Sequence, residues 1–432
     1  MKKQILTLTL ILLGCSCFAQ VDIVLGDWKK SSGLDNVYDF DAQISVAPPK
    51  GYEAFYISHY GRHGSRFPYT STTVTALLDM LHEADTAGNL TAFGSALIPR
   101  LEAFMDRAQN HIGELTELGR EQQYRLAREM VARYPQAFRK GAVVKGQASS
   151  STRSILSMAS FCCALAQERQ AIRIDQYQGF AETQATAPNM GRNPLRIKGP
   201  GLGNPYRESP LEFMQRRFPE FTEVLGKMFK DPAAALGNRD AEYLMDHIYM
   251  LIGGMNSLPD DVRMDFSDIV TPEIYARMWE VDNYQRFCEY IEYTASCCSV
   301  FKDMISRADA RIVLGKDPGS RGADLRFGHD HVLMTLLMIA DIDSFGELPE
   351  NPDELGYVFQ TFRSPMATNL QFVFYRPRNG RGPVLTRVFL NGCPARLSAL
   401  DKEQGLSPEA AGCYRWEDVK AWFERRFGQL CD

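Results

Sequence analysis

The chain has 432 residues and a formal net charge of −5, with 45% hydrophobic and 23% charged residues. This composition is typical of a globular protein with a full core, and the length allows one large domain with an insertion, or two domains. A mildly acidic chain is a poor candidate for binding nucleic acid or an anionic membrane surface. Any site for a polyanion must therefore be a local basic pocket.

The first twenty residues have the pattern of an export signal. Two lysines precede an apolar run, Ile5 to Leu13, which small residues follow. We predict a signal peptide over residues 1–19, cleaved after Ala19; a lipoprotein signal that places a lipid on Cys15 is the alternative. No later segment of the sequence approaches the roughly 18 apolar residues that span a bilayer. The sequence predicts an exported protein, periplasmic or secreted, without a transmembrane span.

Cleavage after Ala19 leaves eight cysteines. An oxidising compartment permits disulfides, but the sequence cannot choose among the many pairings. Cys413 with Cys431 is the single pair that we favour, because it would fix the C-terminus. The sequence has no Cys-x-x-Cys pair, so we do not predict a structural zinc site.

A histidine flanked by two arginines lies in the segment Arg62-His63-Gly64-Ser65-Arg66-Phe67-Pro68. The apolar run Tyr52–Ile57 before it predicts a buried strand, and capping residues 71–73 after it predict a helix to about Ala87. Ligands bind at this edge of an open α/β sheet. Two cations beside an imidazole suit an anion that the imidazole could attack. A chance match to these residue types is on the order of 10⁻⁴ over this chain.

Two further strand-to-helix junctions carry polar residues. Residues 142–144 predict a second strand, and a run of hydroxyl residues then begins a helix with Arg153 in its first turn. The helix dipole disfavours a cation there unless an anion binds beside it. Leu325–Phe327 predicts a short strand, followed by Gly328-His329-Asp330-His331 and an apolar helix over residues 332–340. We expect these junctions and the first to converge on one sheet edge.

The remaining chain alternates between helical and extended patterns. We predict an amphipathic helix over Gly113–Tyr134, a third strand over Ile172–Ile174 and a Gly- and Pro-rich loop over Asn189–Pro210, whose basic residues could face an anionic substrate or only solvent. The C-terminal part has two alternating strands, residues 371–375 and 384–390, and a closing helix, residues 416–427. The segment before it has helical patterns over Leu211–Met228, Asp240–Gly253, Pro272–Met278 and Tyr284–Ala308.

This order of elements predicts an α/β fold, a doubly wound sheet domain with an inserted, mainly α-helical cap. The sheet domain would comprise residues 20–175 and 310–432, and the cap would comprise residues 176–309.

The three junctions resemble the motifs of the histidine acid phosphatases (clade 2), whose members include phytases and multiple inositol polyphosphate phosphatases. The resemblance rests on the Arg-His-Gly-x-Arg-x-Pro turn at residues 62–68, the helix-start Arg153, and the His329-Asp330 pair ahead of a helix. The segment Leu115–Glu121 also resembles the family's approach to the helix after the first motif. The resemblance implies a phosphoglycerate-mutase-like fold and a phosphatase that needs no metal or cofactor.

The same resemblance implies roles for these residues. His63 would attack phosphorus and form a phosphohistidine. Asp330 would protonate the leaving alkoxide. Groups that would bind the phosphate oxygens are Arg62, Arg66, Arg153 and His329. Further candidates for substrate contact are His59, His331 and Arg192. The implied substrate is a small phosphomonoester, and inositol hexakisphosphate is the one we prefer.

The residues after His329, where the family has its proton donor, combine the patterns of two branches. The phytase branch has His-Asp here, and the inositol polyphosphate branch has His-Ala-Glu, with the acid one residue further on. Asp330 fits the first pattern, while His331 occupies the acid position of the second and could assist, contact substrate or pack. His59, beside the signature turn, is equally compatible with a structural role.

Other functions fit the sequence less well. Residues 328–331 also satisfy Gly-His-x-His of metal-dependent phosphoesterases, but the further motifs that this class requires are missing from the sequence. A non-catalytic phosphate-binding protein would keep the arginines without needing His63 or Asp330. A phosphate mutase is normally cytoplasmic, which a leader contradicts. A broad-specificity phosphatase acting on other small phosphomonoesters stays as the alternative.

Overall fold

The computed structural model describes residues 19–178, 203–407 and 412–430. Most of the predicted signal peptide, Cys15 and Arg192 lie outside these residues, so the predictions that rest on them stay predictions. Cys413 has a free thiol, so the predicted Cys413–Cys431 disulfide is wrong. Within the described ranges, no helix has the length and apolar character needed to cross a membrane.

The described strands form one mixed sheet. Their order is β3-β2-β4-β1-β5-β6-β7, and β8 pairs with β6. The first four strands pair in parallel and the others are added antiparallel. The strands are β1 (Tyr52–Arg62), β2 (Val143–Ala148), β3 (Arg173–Gln178), β4 (Gly322–Gly328), β5 (Asn369–Pro377), β6 (Leu385–Leu390), β7 (Cys393–Ala395) and β8 (Tyr414–Arg415). The predicted α/β fold is confirmed, with a sheet that is antiparallel on one side.

Helices cover both faces of this sheet. The α-helices of the described residues are α1 (Ala19–Asp22), α2 (Trp28–Ser31), α3 (Thr72–Thr86), α4 (Ala92–Ala108), α5 (Glu117–Arg133), α6 (Thr152–Glu168), α7 (Pro210–Arg217), α8 (Phe221–Met228), α9 (Pro232–Leu236), α10 (Ala241–Gly254), α11 (Pro272–Tyr290), α12 (Thr294–Val313), α13 (Asp330–Ile339), α14 (Ser398–Gln404) and α15 (Trp416–Leu430).

Several predicted helix boundaries are corrected. The helix predicted from Gly113 begins at Glu117, because Gly113 has a positive φ and Thr116 caps the helix through its side chain. The helix predicted over residues 211–228 is two helices, since Phe218 precedes a proline and leaves the helical conformation. The break predicted after Met278 is absent, and α11 continues to Tyr290.

Helix α4 was not predicted at all. It contains Gly94 and Pro99, which both weaken an isolated helix. Thr91 caps it, accepting a hydrogen bond from the Gly94 amide, and its apolar face is buried against α8 and α3. Tertiary packing therefore outweighs the unfavourable local propensity.

Two hydrophobic cores lie on opposite faces of the sheet. The larger core joins α3 and α4 to the helices between residues 210 and 313 and to α13. The smaller core joins α5 and α6 to the other face of the strands. Helices from two separate parts of the chain thus build the layer above the carboxyl ends of the parallel strands. The predicted limits of the cap, residues 176–309, stay a prediction.

Strand register brings the three polar junctions to one level. Arg62 of β1 pairs with Gly328 of β4, and Ala148 of β2 pairs with Phe327 of β4. Because these parallel strands end side by side, the residues that follow each of them meet at a single edge.

Candidate active site

A cavity of about 290 Å³ lies at this edge, between the strand ends and the helices above them. Its sheet side contains the polar side chains of the three junctions: Arg62, His63, Arg66, Arg153, His329 and Asp330. Its opposite wall comes from α10 and α11. The structure therefore brings together the residues that the sequence predicts for phosphate binding and catalysis.

The turn after β1 is fixed by close contacts with α5 and α6. The Gly64 amide donates to Ser157 Oγ (3.0 Å), and the Ser65 amide donates to Gln122 Oε1 (2.8 Å). A Cβ on Gly64 would collide with the backbone of Gly119, and one on Gly119 would collide with the carbonyl of Ser65. Both glycines are required by this backbone approach.

Thr116 explains why residues 115–121 resemble a family segment. Its side chain accepts from the Gly119 amide to cap α5 and donates to the Ser65 carbonyl (3.0 Å). The same threonine thus starts the helix and holds the signature turn, a role that helical periodicity alone did not reveal.

His63 is held as a neutral imidazole with a defined tautomer. Its Nδ1 lies 2.9 Å from the Gly64 carbonyl oxygen, which can only accept, so Nδ1 carries the proton and Nε2 carries the lone pair. Burial lowers the pKa of His63 well below its ordinary value of 6.5, and the neighbouring cations Arg153 and Arg62 lower it further. The imidazole is available as a nucleophile even in acid.

Arg62 is almost completely buried, with 1% of its side chain exposed. Its Nη1 donates to the carbonyls of Leu34 and Ser364 (2.5 and 2.7 Å), and its Nη2 lies 3.3 Å from Asp330 Oδ2. The two carbonyls orient the guanidinium towards the cavity, and a single carboxylate neutralises it there.

Arg66 is paired with a residue that the sequence analysis did not single out. Its Nη2 lies 3.4 Å from Asp35 Oδ1, and its guanidinium lies over the Tyr69 ring at 5.3 Å. Burial raises the pKa of Asp35, although the arginines Arg66 and Arg62 oppose the shift. Asp35 lies in the polar segment before β1, which contains no recognisable motif, so the sequence did not indicate a role for it.

Arg153 and His329 contact each other across the junctions of β2 and β4. Arg153 Nη2 lies 3.5 Å from His329 Nδ1, and Ser149 Oγ lies 2.9 Å from His329 Nε2. An arginine can only donate, so Nδ1 accepts and Nε2–H donates to the serine. Burial lowers the pKa of Arg153 to about 10 and lowers that of His329 well below 6.5. Arg153 therefore sets the tautomer of His329, and Ser149 accepts its Nε2 proton.

Asp330 begins α13 and lies between the Arg62 guanidinium and the His331 ring. Its Oδ2 faces Arg62 and its Oδ1 lies 3.8 Å from His331 Nδ1. Burial would raise the pKa of Asp330, but Arg62, and after it His331, hold it well below its ordinary value. Asp330 is therefore a carboxylate among these neighbours. His331 lines the cavity and packs edge-on against Tyr293.

His59 does not line the cavity. Its side chain is 1% exposed and packs against the rings of Phe161 and Phe327, on the face of β1 opposite to Tyr60 and Arg62. Burial lowers its pKa to about 3. The suggested substrate contact is corrected to a place in the smaller core, because strand alternation directs His59 away from the cavity.

His59 should make stability depend on pH. Its folded pKa of about 3 lies below the value of about 6.5 expected in the unfolded chain, so the unfolded state binds more protons between these values. Stability should fall as pH drops below about 6.5. Between pH 7 and pH 5 the loss due to His59 is about 2 kcal/mol. Chemical denaturation would measure the free energy of unfolding of wild-type protein and of His59→Leu at pH 7 and at pH 5. The decrease between the two pH values should be smaller in His59→Leu by about 2 kcal/mol. Equal decreases in both proteins would contradict the low pKa of His59.

The wall opposite His63 contains a second group of charges, which the sequence analysis did not identify. Arg286 of α11 lies among the carboxylates of Asp282, Glu289 and Asp246. Three of these residues are spaced three or four positions apart on one helix, a pattern typical of a solvated helix face. Only the tertiary fold shows that Arg286, Asp282 and Glu289 line the cavity. Among the described residues, no group of three or more His, Cys, Asp or Glu is arranged to hold a metal ion.

Residues 61–193 match the sequence model of the histidine phosphatase superfamily (branch 2). No curated protein sequence matches the chain. The segment matched begins with the turn that carries Arg62, His63 and Arg66 and includes Arg153. The match thus covers the sheet-side cations of the cavity.

Solved structures share the fold at low sequence identity. The Bifidobacterium longum multiple inositol polyphosphate phosphatase in complex with inositol hexasulfate is 16% identical, with a TM-score of 0.68 over 91% of this chain and 97% of that chain. The complex of the same phosphatase with phosphate has a TM-score of 0.66 at 16% identity, over 84% of this chain and 92% of that chain. The phytase from D. castellii is 13% identical, with a TM-score of 0.63 over 93% of this chain and 87% of that chain.

Proposed function

We infer that this chain, a member of the histidine phosphatase superfamily (branch 2), hydrolyses small phosphomonoesters through a phosphohistidine on His63. The inference rests on the tautomer of His63 and on its position beside the arginines of the cavity. Its Nδ1 proton is committed to the Gly64 carbonyl, its Nε2 has no hydrogen-bond partner among the described residues, and three arginines lie on the same side of the cavity. A phosphate held by those cations would meet a neutral nucleophile.

The reaction would proceed in two displacements. His63 Nε2 attacks phosphorus, an N–P bond forms and the P–O bond to the alcohol breaks. Arg62, Arg66 and Arg153 stabilise the charge on the equatorial oxygens. Water then attacks the phosphohistidine and gives a proton to the Asp330 carboxylate, the N–P bond breaks, and inorganic phosphate leaves with His63 restored as the neutral imidazole.

Asp330 is the proposed proton donor to the leaving oxygen. Its low pKa without a bound phosphate opposes that role, because a carboxylate has no proton to give. The pKa is low because the Arg62 guanidinium, and after it the hydrogen bond with His331, stabilise the carboxylate. A phosphate dianion bound among the arginines would compensate these cations and add a like charge beside Asp330, and both effects raise its pKa. Substrate binding would therefore favour the protonated acid that the first displacement requires.

Inositol polyphosphates such as inositol hexakisphosphate are the substrates that we propose first. The support is the resemblance of the signature residues, together with a fold shared with a phosphatase that binds inositol hexasulfate. A broad-specificity phosphatase is the second candidate. The carboxylates of the α11 wall favour it, because a second phosphate would meet negative charge there. We also propose that the protein is exported, on the basis of residues 1–19.

Phosphate release in the presence of a chelator tests this proposal. We expect release from both inositol hexakisphosphate and an aryl phosphate, because the proposed chemistry uses only side chains of the protein. Released phosphate would be measured against time with and without EDTA. Release from the aryl phosphate alone would keep the histidine mechanism and remove the inositol substrate. Release from neither substrate would contradict a phosphatase and favour a phosphate-binding protein.

A further inference from the structure

The described part of the cavity lining has as many carboxylates as arginines. The arginines are Arg62, Arg66, Arg153 and Arg286, and the carboxylates are Asp35, Asp282, Glu289 and Asp330. The proposed chemistry uses the sheet side of the cavity, where three of the arginines lie. The wall formed by α10 and α11 has a different charge pattern, and no step of the proposed reaction accounts for it.

Arg286 is fully engaged by acidic partners. Its Nη2 lies 2.5 Å from Asp246 Oδ1, its Nε lies 2.9 Å from Asp282 Oδ1, and its Nη1 lies 3.4 Å from Glu289 Oε2. Burial alone would lower the pKa of Arg286, but Asp246 and Asp282 raise it well above its ordinary value. Burial raises the pKa of Asp282 to about 7, so above that pH one guanidinium faces three carboxylates and the wall is electronegative in spite of its arginine.

Asp282 has an unused hydrogen-bonding atom. The residue is 2% exposed and lines the cavity, and its Oδ2 is buried with no hydrogen-bond partner among the described residues. This oxygen is itself out of reach of a ligand, so Asp282 acts on the cavity through its charge: a donor or cation beside it lowers the cost of the buried carboxylate, and a phosphate raises that cost. Glu289 is 44% exposed and adds negative charge where the same wall meets solvent.

We propose that the wall formed by Asp282, Glu289 and Arg286 selects the leaving alcohol, favouring one that presents a hydroxyl or ammonium donor and disfavouring one that presents a second phosphate. The proposal rests on the proposed function, since it takes the scissile phosphate to lie at His63. Among inositol phosphates, the preferred substrates are then those with free hydroxyl groups beside the scissile phosphate. Inositol hexakisphosphate, in which every position carries a phosphate, is then a substrate with a several-fold lower kcat/KM than these.

The physical reason is electrostatic. A phosphate group seated near Glu289 and Asp282 experiences repulsion that a hydroxyl does not, and Arg286 compensates little of it because its single charge already faces three carboxylates. For one unit charge acting on a phosphate dianion about 8 Å away in a solvated cavity, the discrimination is about five-fold.

The test compares substrates across charge-neutralising variants. The measured quantity is kcat/KM for inositol hexakisphosphate divided by kcat/KM for glycerol 2-phosphate, which carries two hydroxyls. We expect this ratio to rise about five-fold in Glu289→Gln and in Asp282→Asn. The matched control is Glu292→Gln, which removes the same charge from an exposed residue outside the described cavity lining. Its ratio should change less than two-fold.

Ethanolamine phosphate, whose leaving alcohol carries an ammonium group, shows whether the wall prefers an ammonium or a hydroxyl donor. A higher wild-type kcat/KM for it than for glycerol 2-phosphate indicates an ammonium, and the reverse indicates a hydroxyl. Asp282→Asn could lose stability because Asp282 is buried, but Glu289→Gln alters a half-exposed side chain and keeps the test decisive. An unchanged or lower ratio in Glu289→Gln overturns the selection proposal. Wild-type protein that releases phosphate from none of these substrates, an aryl phosphate included, overturns the proposed function instead.

Discussion

Replacing His63 with alanine is expected to lower kcat/KM by about 10⁴-fold or more, with an aryl phosphate and with an inositol phosphate alike. Alanine removes the Nε2 lone pair that would attack phosphorus, and the neighbouring imidazole of His329 is not free to replace it. His329 has its Nε2 engaged by Ser149 and its Nδ1 beside Arg153. The measurement is the initial rate of phosphate release at saturating and at limiting substrate.

The control for this experiment is His82→Ala, which removes an exposed histidine that pairs only with Glu102. It should keep wild-type kcat and KM. Rapid quenching of wild-type enzyme with labelled substrate in alkaline detergent should trap a phosphohistidine, which is stable in base and labile in acid, and His63→Ala should give none. Wild-type turnover by correctly folded His63→Ala protein would refute the covalent mechanism.

The sequence predicted the sheet side of this site because that side is built locally. Arg62, His63 and Arg66 lie within five residues, and the strand before them and the helix after them were both visible in the hydrophobic pattern. Parallel strands end at one edge, so placing three junctions was sufficient to bring Arg153 and His329 near His63. The register of β1 and β2 against β4 confirms that convergence.

The α11 wall could not be predicted in the same way. Asp282, Arg286 and Glu289 have the spacing of an ordinary solvated ion-pair series, and Asp246 joins them from a different helix. Only the packing of α10 against α11 turns these charges into a cavity wall. Asp35 raises the same difficulty, because its role depends on a contact with Arg66 made across 31 positions of chain.

His59 is a residue that the sequence suggested for the site but that does not line the cavity. Its position next to the signature turn suggested a role in substrate binding, but a strand places successive side chains on opposite faces. Arg62 is directed to the cavity, and His59, three positions earlier, is directed to the core between Phe161 and Phe327. Proximity in sequence was misleading because the period of two was not applied up to the end of β1.

Replacing Asp330 with asparagine is expected to reduce kcat in a way that depends on the leaving group. With an alkyl phosphate such as glycerol 2-phosphate, the loss should be about 10²- to 10³-fold, because the departing alkoxide needs a proton. With an aryl phosphate whose phenol is acidic, the loss should be under about ten-fold. Asparagine can still accept from Arg62, so the guanidinium keeps its orientation. His331→Ala is the matched comparison, and we expect under ten-fold loss with either substrate.

A second consequence separates proton donation from a purely structural role. The carboxylate of Asp330 lies 3.3 Å from Arg62 and repels a bound phosphate, so its neutral replacement should strengthen inhibition by inorganic phosphate. Asp330→Asn should therefore combine a lower kcat on alkyl esters with a lower inhibition constant for phosphate. Equal losses on both esters together with weaker phosphate inhibition would mean that Asp330 serves only to orient Arg62. In that case the proton would have to come from another group, and His331, 3.8 Å from Asp330, is the nearest titratable candidate on the same helix.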